Sequence, residues 1–407
     1  MRIAVFTDSF FPKIDGIAVS VQNFCEKLEE RGHKFVICCP RYADDDAELI
    51  GHNIRVERFK SVALPSYEEM RIVVPGRKKL HKIMKDFKPD LVHIQTPGFM
   101  GQYGVLAAKL YAVPVIGTYH TMMSEVGMYV NPFRLLKLDK LLNRVKRRKK
   151  IASKLHKVTR KKPGSLGGKL LYKLANRLYE KCSLIISPSE LIKKELIDKG
   201  IQAPVTVVSN GIDLSFFRAE RRIFPGDEPR LLHVGRIAPE KNTEEVIRAF
   251  ALIKRELPRA RLTVVGDGPV LIDLKREASE LGIADSVQFT GYLARKELPQ
   301  IYAEHDLFIT ASAMETQGLV ALEAIATGLP AVGVNAFALP ELIQHGRNGL
   351  CAEPHNVPEI ASAALRLLKD KTFYENASLE SIEIAKDHGH DRCTDRLEKL
   401  YRKAVGK

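Results

Sequence analysis

The sequence predicts an α/β protein with two doubly wound domains, each a parallel sheet covered by helices on both faces. Three observations lead to this prediction. The chain has 407 residues, more than a single hydrophobic core ordinarily supports. Short apolar runs alternate with segments of helical composition, as they do in parallel sheets. The alternation then restarts in the second half of the chain, which indicates a second sheet.

The first half contains short apolar runs that we expect to be buried strands, separated by segments that we expect to be helices. Gly32 follows the first predicted helix, where a glycine commonly ends one. The predicted strands are 2–7, 34–39, 91–95, 113–119 and 184–187, and the predicted helices are 19–31, 77–87, 102–111 and 190–199.

The second half repeats the pattern and ends in an amphipathic helix, 391–404, that no strand follows. Asn210, Gly211 and Asp213 interrupt the chain near the predicted join. We therefore expect domains at 1–208 and 209–385, with 386–407 packing back on the first. The predicted strands are 230–234, 261–265, 287–290, 307–311 and 331–334, and the predicted helices are 243–256, 271–281, 297–304 and 319–327.

The positive charge of the chain is concentrated in one segment. The formal net charge is +15, and residues 134–181 hold eighteen Lys or Arg against two acids, so the remainder is nearly neutral. Such a patch needs an anionic partner, either a membrane surface or a nucleic acid.

Other features exclude several classes of protein. No apolar run approaches the roughly 20 residues that span a bilayer. The first apolar run meets Asp8 early, which argues against a secretory signal peptide. The six cysteines include no CxxC pair and the twelve histidines no metal-binding cluster. We therefore expect a cytosolic protein with reduced thiols and no metal site.

Two glutamates, Glu315 and Glu323, flank Gly318 where a predicted strand leads into a helix. The N–H groups of a helix N-terminus suit a pyrophosphate, so we expect those around Gly318, Leu319 and Val320 to face one. Carboxylates in such a place are better suited to hydroxyl groups than to phosphate, which would repel them. The alternative interpretation is a helix-start acid and a surface acid.

Two further loops follow predicted strands of the second half. One carries Arg236, which can bind two phosphate oxygens, and Lys241, which adds a point charge. The alternative is an ordinary βα loop with solvated bases. The other contains Gly266 in a Gly-x-Gly turn, a weak nucleotide fingerprint that a plain tight turn also explains.

Two loops of the first half stand at equivalent positions. Gly16 follows the first strand and would let the backbone approach a phosphate, although a plain βα turn explains it equally well. His120 stands at the carboxyl end of another predicted strand. A lone histidine is commonly a packed residue, but the position favours a ligand role.

The order of TDSFFPxxxG, GTYHT, SNGID, GRxxxEKN, VGDGP and ETQGLVxLEAxAxGLP resembles the retaining glycosyltransferases of family 4. The resemblance spans nearly the whole chain. It implies the GT-B fold, in which two facing Rossmann-like domains bind ligands in an interdomain cleft. ETQGL in place of EGFGL, together with TDSFFP and YHT, is similar to bacterial enzymes that build diacylglycerol glycolipids.

The resemblance implies a role for each candidate residue. Arg236 and Lys241 would hold the diphosphate of a nucleotide-sugar, with backbone groups of the glycine loops around it. Glu315 would bind hydroxyls of the donor sugar and Glu323 the ribose. His120 would hydrogen-bond the donor sugar and help to stabilise positive charge near the anomeric carbon.

The Gly16 loop would approach the diphosphate, but this chain departs from the family there. It has Asp15-Gly16 where several members have Gly-Gly, which puts the phosphate role of that loop in doubt.

The resemblance also implies the cosubstrate and the course of the reaction. The donor would be a nucleotide-sugar, UDP-glucose by preference, with UDP-galactose and GDP-mannose as alternatives. No permanently bound cofactor is expected, and no metal, because Arg, Lys and a helix N-terminus take its place. The departing phosphate oxygen would take the acceptor's proton, so we expect no protein nucleophile.

Leucines in 134–181 recur at helical spacings among the bases, which predicts basic amphipathic helices at an anionic membrane interface. Nucleic acid is disfavoured because 134–171 holds no aromatic residue for stacking. Together with the resemblance, this segment implies a peripheral enzyme on the inner face of the cell membrane that transfers a hexose to a lipid, with diacylglycerol preferred, and forms an α-linkage. Alternatives are a soluble family 4 enzyme acting on a sugar, sugar phosphate or glycan, and, more remotely, a nucleic-acid-binding protein on this scaffold.

Overall fold

The computed structural model describes residues 1–13, 15–42, 51–64, 67–74, 76–120 and 166–406. The chain divides into two compact units. The first comprises 1–188, 193–207 and 396–407, and the second comprises 189–192 and 208–395. Most of the basic segment 134–181, including its densest run at 146–150, lies outside the described residues.

The described residues of the first unit form nine strands. They are β1 (Arg2–Phe6), β2 (Lys34–Pro40), β3 (Ile54–Phe59), β4 (Ser61–Leu64), β5 (Tyr67–Val73), β6 (Leu91–Ile94), β7 (Val115–Thr118), β8 (Leu184–Ser187) and β9 (Val205–Val207). β4 and β5 form an antiparallel hairpin, and the others form one parallel sheet in the order β3-β2-β1-β6-β7-β8-β9. The direction of strand addition reverses between β1 and β6, which is where doubly wound sheets bind ligands.

The helices of this unit connect successive strands. They are α1 (Gly16–Glu30), α2 (Arg77–Phe87), α3 (Phe99–Tyr111), α4 (Leu166–Tyr179) and α5 (Glu190–Asp198), of which residues 190–192 belong to the second unit. Gly101 shows how closely they pack, because a β-carbon there would lie 1.9 Å from the carbonyl oxygen of Thr96 and 3.3 Å from the Leu178 side chain.

The second unit repeats the architecture with six parallel strands. They are β10 (Arg230–Val234), β11 (Arg261–Val265), β12 (Val287–Gly291), β13 (Leu307–Ile309), β14 (Ala331–Val334) and β15 (Gly349–Ala352). The order is β12-β11-β10-β13-β14-β15, so the reversal lies between β10 and β13. The prediction of two parallel-sheet α/β units is confirmed.

The helices of the second unit cover its sheet, and the last helix of the chain returns to the first unit. They are α6 (Thr243–Glu256), α7 (Leu271–Glu280), α8 (Leu298–Ala303), α9 (Leu319–Ala326), α10 (Leu339–Leu342), α11 (Val357–Lys369), α12 (Lys371–Lys386) and α13 (His390–Ala404). The part of the chain from Arg396 onward belongs to the first unit. There Glu398 accepts a hydrogen bond from Arg31 at 3.0 Å, and Tyr401 is buried.

Burial explains which strands could be predicted. β1, β10 and β11 share one pattern, an exposed first residue followed by four buried ones, which appears in the sequence as a continuous apolar run. The predicted ends needed correction, since the strand expected at 113–119 begins at Val115 and ends at Thr118, and the strand expected at 307–311 ends at Ile309.

Arg222 is a buried cation in the second unit, and its guanidinium donates to carbonyl groups at helix ends. Its guanidinium donates to the Ala303 carbonyl at 2.7 Å and to the Thr327 carbonyl at 2.8 Å. These carbonyls lie at the C-terminal ends of α8 and α9, where positive charge is favourable. The side chain therefore fixes the end of α9 opposite its N-terminus.

Replacing Arg222 with methionine should lower the free energy of unfolding by about 3 kcal/mol, because charge-assisted hydrogen bonds are lost and buried carbonyls are left without a donor. The neighbouring Arg221 provides a control, since its ion pair with Glu375 is at the surface. Arg221→Met should change the value by less than about 1 kcal/mol. Equal losses for the two variants in denaturant unfolding would refute this role.

Candidate active site

The predicted site residues of the second unit lie at the carboxyl ends of adjacent strands. Arg236 and Lys241 follow β10, Gly266 follows β11, and Glu315 and Gly318 follow β13. Because β10 lies between β11 and β13 in the sheet, the three loops meet at one edge. This edge is the point at which strand order reverses.

Lys241 and Glu315 form the centre of this edge. The Lys241 ammonium donates to Oε1 of Glu315 at 2.6 Å, and the Ser312 hydroxyl donates to the same oxygen at 2.7 Å. Asn242, in the left-handed region with a φ of 49°, ends the turn Pro239–Lys241, and its side-chain amide donates to the Ala311 carbonyl at 3.1 Å. The two loops are thereby tied to each other.

The Glu315 carboxylate is ionised at neutral pH. Burial raises the pKa of this carboxyl, but the Lys241 charge and the hydrogen bonds from Lys241 and Ser312 outweigh it and hold the pKa below its ordinary value. Both hydrogen bonds from these side chains fall on Oε1. The second carboxylate oxygen is therefore suited to accept hydroxyl groups of a ligand.

Arg236 is held at the same edge by a second acid. Its guanidinium contacts the carboxylate of Glu240, whose side chain is nearly buried. The Arg236 side chain is 41% exposed. The two bases of the site are thus each matched by an acid, and the guanidinium retains a solvent-facing surface with which an anion can pair.

The N-terminus of α9 adds backbone donors. Gly318 precedes it with a φ of 81°, a backbone conformation that favours glycine, and no side chain of the described residues caps its first turn. The backbone N–H groups of Leu319 and Val320 stand in this uncapped turn. Aligned peptide dipoles make such a position favourable for a phosphate.

Gln317 anchors the loop that carries Glu315. Its buried side-chain amide donates to the Ser209 hydroxyl at 2.6 Å, and its oxygen accepts from the Asn210 backbone N–H at 2.9 Å. The same Ser209 hydroxyl lies 2.9 Å from Nδ1 of His388. This chain has ETQGL in place of EGFGL, and the glutamine of that motif, Gln317, therefore has a structural role.

Gly266 has a packing reason to be glycine. Its φ is 133°, and a β-carbon there would lie 1.8 Å from the carbonyl oxygen of Gly235. The loops after β10 and β11 consequently approach each other too closely for any side chain. This contact accounts for the residue type independently of any ligand.

Glu323 lies in α9, and its carboxylate is near the balance between its charged and neutral forms. Burial is the main cause that raises its pKa to about 7, against the Arg295 charge and the Tyr302 hydrogen bond, which lower it. The Tyr302 hydroxyl lies 3.0 Å from Oε2 of Glu323 and 3.1 Å from the Val320 carbonyl oxygen. Tyr302 was not among the predicted site residues.

The raised pKa of Glu323 predicts a stability that depends on pH. Between its ordinary value of 4.5 and about 7, the folded protein retains a proton that the unfolded chain has released. Stability should therefore fall as the pH rises through this interval and stay lower above it. Glu323→Gln should be more stable than the wild type at pH 8 by on the order of 3 kcal/mol, with the difference shrinking towards pH 4.5.

Denaturant unfolding between pH 4.5 and pH 8 measures this effect. Glu280→Gln, an equivalent change at an exposed side chain of α7, is the control and should leave the pH dependence unaltered. A constant difference between Glu323→Gln and the wild type at all pH values would contradict the assignment.

In the first unit, the loop after β1 differs from an open phosphate cradle. The Asp15 side chain caps α1 and accepts from the Ile17 and Ala18 backbone N–H groups at 3.1 and 2.9 Å. Lys13 pairs with the same carboxylate at 3.3 Å. The donors beside the exposed Gly16 are thus already occupied by a carboxylate, which is the physical consequence of Asp-Gly in place of Gly-Gly.

Asp8 has a comparable structural role. Its carboxylate accepts from the Met100 backbone N–H in the first turn of α3 at 2.9 Å and from the Thr96 hydroxyl at 2.5 Å. A β-carbon on Gly98 would lie 2.5 Å from this carboxylate. Burial raises the pKa of Asp8. The first residues of the TDSFFP motif therefore join the loops after β1 and β6.

His120 follows β7, next to those loops in the sheet. Its Nε2 lies 2.7 Å from Oε1 of Gln95, and an amide oxygen only accepts, so Nε2 carries the proton and Nδ1 the lone pair. Burial lowers the pKa of His120 to about 4, while the Asp15 charge raises it. The imidazole is neutral at pH 7, with Nδ1 as its acceptor nitrogen.

Two observations concern metals and membranes. Among the residues that the structure describes, no group of three or more His, Cys, Asp or Glu side chains could hold a metal ion. Within the same residues, no helix is both long enough and apolar enough to cross a bilayer.

The sequence is similar to those of known glycosyltransferases. Residues 14–216 match the family described as Glycosyltransferase Family 4, and residues 217–383 match glycosyl transferases group 1. An alpha-monoglucosyldiacylglycerol synthase of Streptococcus pneumoniae is 32% identical over 82% of this chain and 70% of its own. A sulfoquinovosyl transferase of Arabidopsis thaliana is 30% identical over 92% and 68%.

The fold is shared with solved structures. Anabaena HepE, crystallised with UDP, has a TM-score of 0.74 at 20% identity and covers 99% of this chain and 100% of its own. The chain belongs to the family 4 glycosyltransferases and has the GT-B fold.

Proposed function

We propose that this glycosyltransferase transfers glucose from UDP-glucose to diacylglycerol, with retention of configuration, on the inner face of the cell membrane. The observation that carries the donor half of the proposal is the Lys241–Glu315 pair beside the uncapped N-terminus of α9. The acceptor half rests on the similarity to an alpha-monoglucosyldiacylglycerol synthase and on the basic segment 134–181.

The diphosphate of the donor would lie between the two bases and the helix N-terminus. Arg236 would bind two of its oxygens, and Lys241 would add a point charge beside them. The backbone N–H groups of Leu319 and Val320 would complete the contacts. Because these groups neutralise the charge that develops on the leaving diphosphate, the proposal requires no metal ion.

The two glutamates would bind the neutral parts of the donor. Oε2 of Glu315 would accept hydroxyls of the sugar, and the negative charge of Glu315 keeps Lys241 oriented. Glu323 would accept the ribose hydroxyls through its carboxylate, which the Tyr302 hydroxyl orients. Gly16 and Gly266 would contribute backbone only, and Asp15 limits what the Gly16 loop can bind.

The neutral imidazole of His120 would accept a hydrogen bond from a hydroxyl of the donor sugar through Nδ1. It adds no positive charge beside the anomeric carbon, where positive charge develops as the phosphate leaves. The acceptor oxygen bonds to the anomeric carbon on the face that the diphosphate vacates. The acceptor proton passes to the departing phosphate oxygen, so no protein nucleophile is required.

A membrane acceptor is supported by charge on described helices as well as by 134–181. Leu106 and Leu110 are exposed on one face of α3, and Leu174 is exposed on α4, which packs beside it. Lys109 and Lys173 are exposed on the same two helices. Exposed leucines among bases suit an anionic membrane interface, in which apolar side chains enter and bases meet lipid phosphates.

Labelled donors and vesicles test the proposal. Each of UDP-glucose, UDP-galactose and GDP-mannose is incubated with the enzyme and liposomes. The liposomes either contain or lack diacylglycerol, and either contain or lack anionic lipid. We expect a labelled glycolipid from UDP-glucose that requires both lipids. A labelled product with a soluble sugar, sugar phosphate or glycan, and none with lipid, would instead support a soluble family 4 enzyme. Tight RNA or DNA binding without turnover would contradict both.

A further inference from the structure

Buried polar side chains connect the C-terminal helix α13 to His120 within the first unit. Tyr401, His93 and Gln95 are all nearly inaccessible to solvent. Each is within hydrogen-bonding distance of the next, and Gln95 contacts His120. Buried polar groups are stable only when they are bonded, so each of these side chains restricts the orientation of its neighbour.

The orientation of the His93 imidazole is set from both sides. The Tyr401 hydroxyl lies 2.6 Å from Nδ1, and the Thr118 hydroxyl lies 2.7 Å from Nε2. Burial lowers the pKa of His93 to about 3, with a smaller contribution from His120, so the ring is neutral with one donor and one acceptor nitrogen. Rotating the ring would break both contacts.

The His93 ring in turn selects the orientation of the Gln95 amide. The amide nitrogen of Gln95 lies 3.2 and 3.3 Å from the two ring nitrogens of His93. Because these distances are nearly equal, the amide packs against the face of the imidazole and does not bond one nitrogen in particular. The face of a neutral imidazole is electron-rich, so it accepts an amide N–H and would repel an amide oxygen in that place. The oxygen therefore points to His120, where it accepts from Nε2.

We propose that Tyr401 is a positioning residue for His120, acting through His93 and Gln95 to hold the imidazole with its proton on Nε2 and its lone pair on Nδ1. This rests on the proposed function, in which Nδ1 of His120 accepts a hydroxyl of the donor sugar. A helix that begins in the second unit and ends in the first would thereby serve catalysis as well as folding.

Tyr401→Phe tests the proposal because it removes one hydroxyl and keeps the ring. Tyr374→Phe is the matched control, since Tyr374 is also fully buried and its hydroxyl donates to the Asp306 carbonyl at 2.7 Å, in the second unit. Histidine side-chain nitrogen chemical shifts report the tautomer of His120. We expect a single Nε2-protonated form in the wild type and in Tyr374→Phe, and a mixture of tautomers in Tyr401→Phe.

Kinetics provide the second readout. Tyr401→Phe should lower kcat by about tenfold through misorientation of His120, with KM for the donor changed by less than about twofold. Tyr374→Phe should leave both values near those of the wild type. An unchanged His120 tautomer together with an unchanged kcat in Tyr401→Phe would overturn the proposal.

Two further variants keep the test decisive. Should Tyr401→Phe fail to fold, Gln95→Leu removes the direct contact with His120 and should produce the same mixture of tautomers; a single Nε2-protonated form there would overturn the proposal. His120→Ala tests the proposed function separately. If that variant kept full activity, the catalytic role of His120 would fail, and the tautomer measurement would still decide whether Tyr401 positions it.

Discussion

Lys241→Ala should lower kcat for glycosyl transfer by about a thousandfold, because it removes a cation from the place where charge develops on the leaving diphosphate. The same change leaves Glu315 without its partner at 2.6 Å. Its carboxylate would then repel the diphosphate, which adds to the loss. Transfer from labelled nucleotide-sugar, measured at saturating donor, reports the effect.

Glu315→Gln should reduce turnover by at least about a hundredfold for the complementary reason. The amide keeps the size of the side chain but loses the charge that orients Lys241. It also replaces one accepting oxygen by a donating nitrogen where sugar hydroxyls would bind. Binding to liposomes should be unaffected in both variants, because neither residue belongs to the basic segment.

A second Lys–Glu pair of the same unit provides the matched control. Lys369 and Glu256 pair at 2.9 Å between exposed helix surfaces, away from the carboxyl ends of the strands. Lys369→Ala and Glu256→Gln should therefore retain nearly full activity. Full activity in Lys241→Ala or in Glu315→Gln would remove the role assigned to that residue.

Replacing Arg147, Arg148, Lys149 and Lys150 together with serine should weaken binding to anionic liposomes by about three orders of magnitude. Each base near such a membrane contributes about 1 kcal/mol, so four contribute about 4 kcal/mol. The loss should be largest at low ionic strength, where these charges are screened least. Liposome sedimentation over a series of salt concentrations measures it.

The control for this variant removes the same charge elsewhere. Lys275, Arg276, Lys369 and Lys371 are exposed on helices of the second unit. Their replacement by serine also lowers the net charge by four and should leave liposome binding close to that of the wild type. If both variants lost the same liposome affinity, net charge and not the basic segment would drive attachment. If neither variant lost affinity, electrostatic docking would be excluded.

The central strands of both sheets and the edge strand β12 could be predicted, whereas the edge strands β3, β9 and β15 could not. β1 and β10 are buried on both faces and therefore appear as apolar runs. β3 has the sequence IRVERF at the edge of the sheet, in which three of the six side chains are charged and two of these, Glu57 and Arg58, are adjacent. Nothing local distinguishes such a segment from a loop, because its partner β2 lies elsewhere in the sequence.

The candidate site could be predicted as residues but not as contacts. Arg236, Lys241 and Glu315 follow strands that the sheet places side by side, as the alternation of elements leads one to expect. That Lys241 bonds Oε1 of Glu315 depends on residues 74 positions apart. The Asp15 cap, by contrast, is local, and an acid before a helix start could have indicated it.

The supporting side chains were the least predictable part of the site. Tyr401 and His93 are separated by 308 positions, and His388 and Ser209 by 179. Each is a polar residue in a segment whose pattern indicates only a helix, a strand or a loop. Tertiary packing determines their partners, and it cannot be inferred from the local periodicity of the sequence.

The measurement that tests the central claim most directly is the identity of the product formed from UDP-glucose and diacylglycerol in anionic liposomes. Mass spectrometry of the extracted lipid and nuclear magnetic resonance of its anomeric proton determine the acceptor and the linkage together. We predict α-glucosyldiacylglycerol, formed by the wild type and nearly absent with Lys241→Ala. A β-linked glycolipid, or hydrolysis of UDP-glucose with no lipid product, would contradict the account.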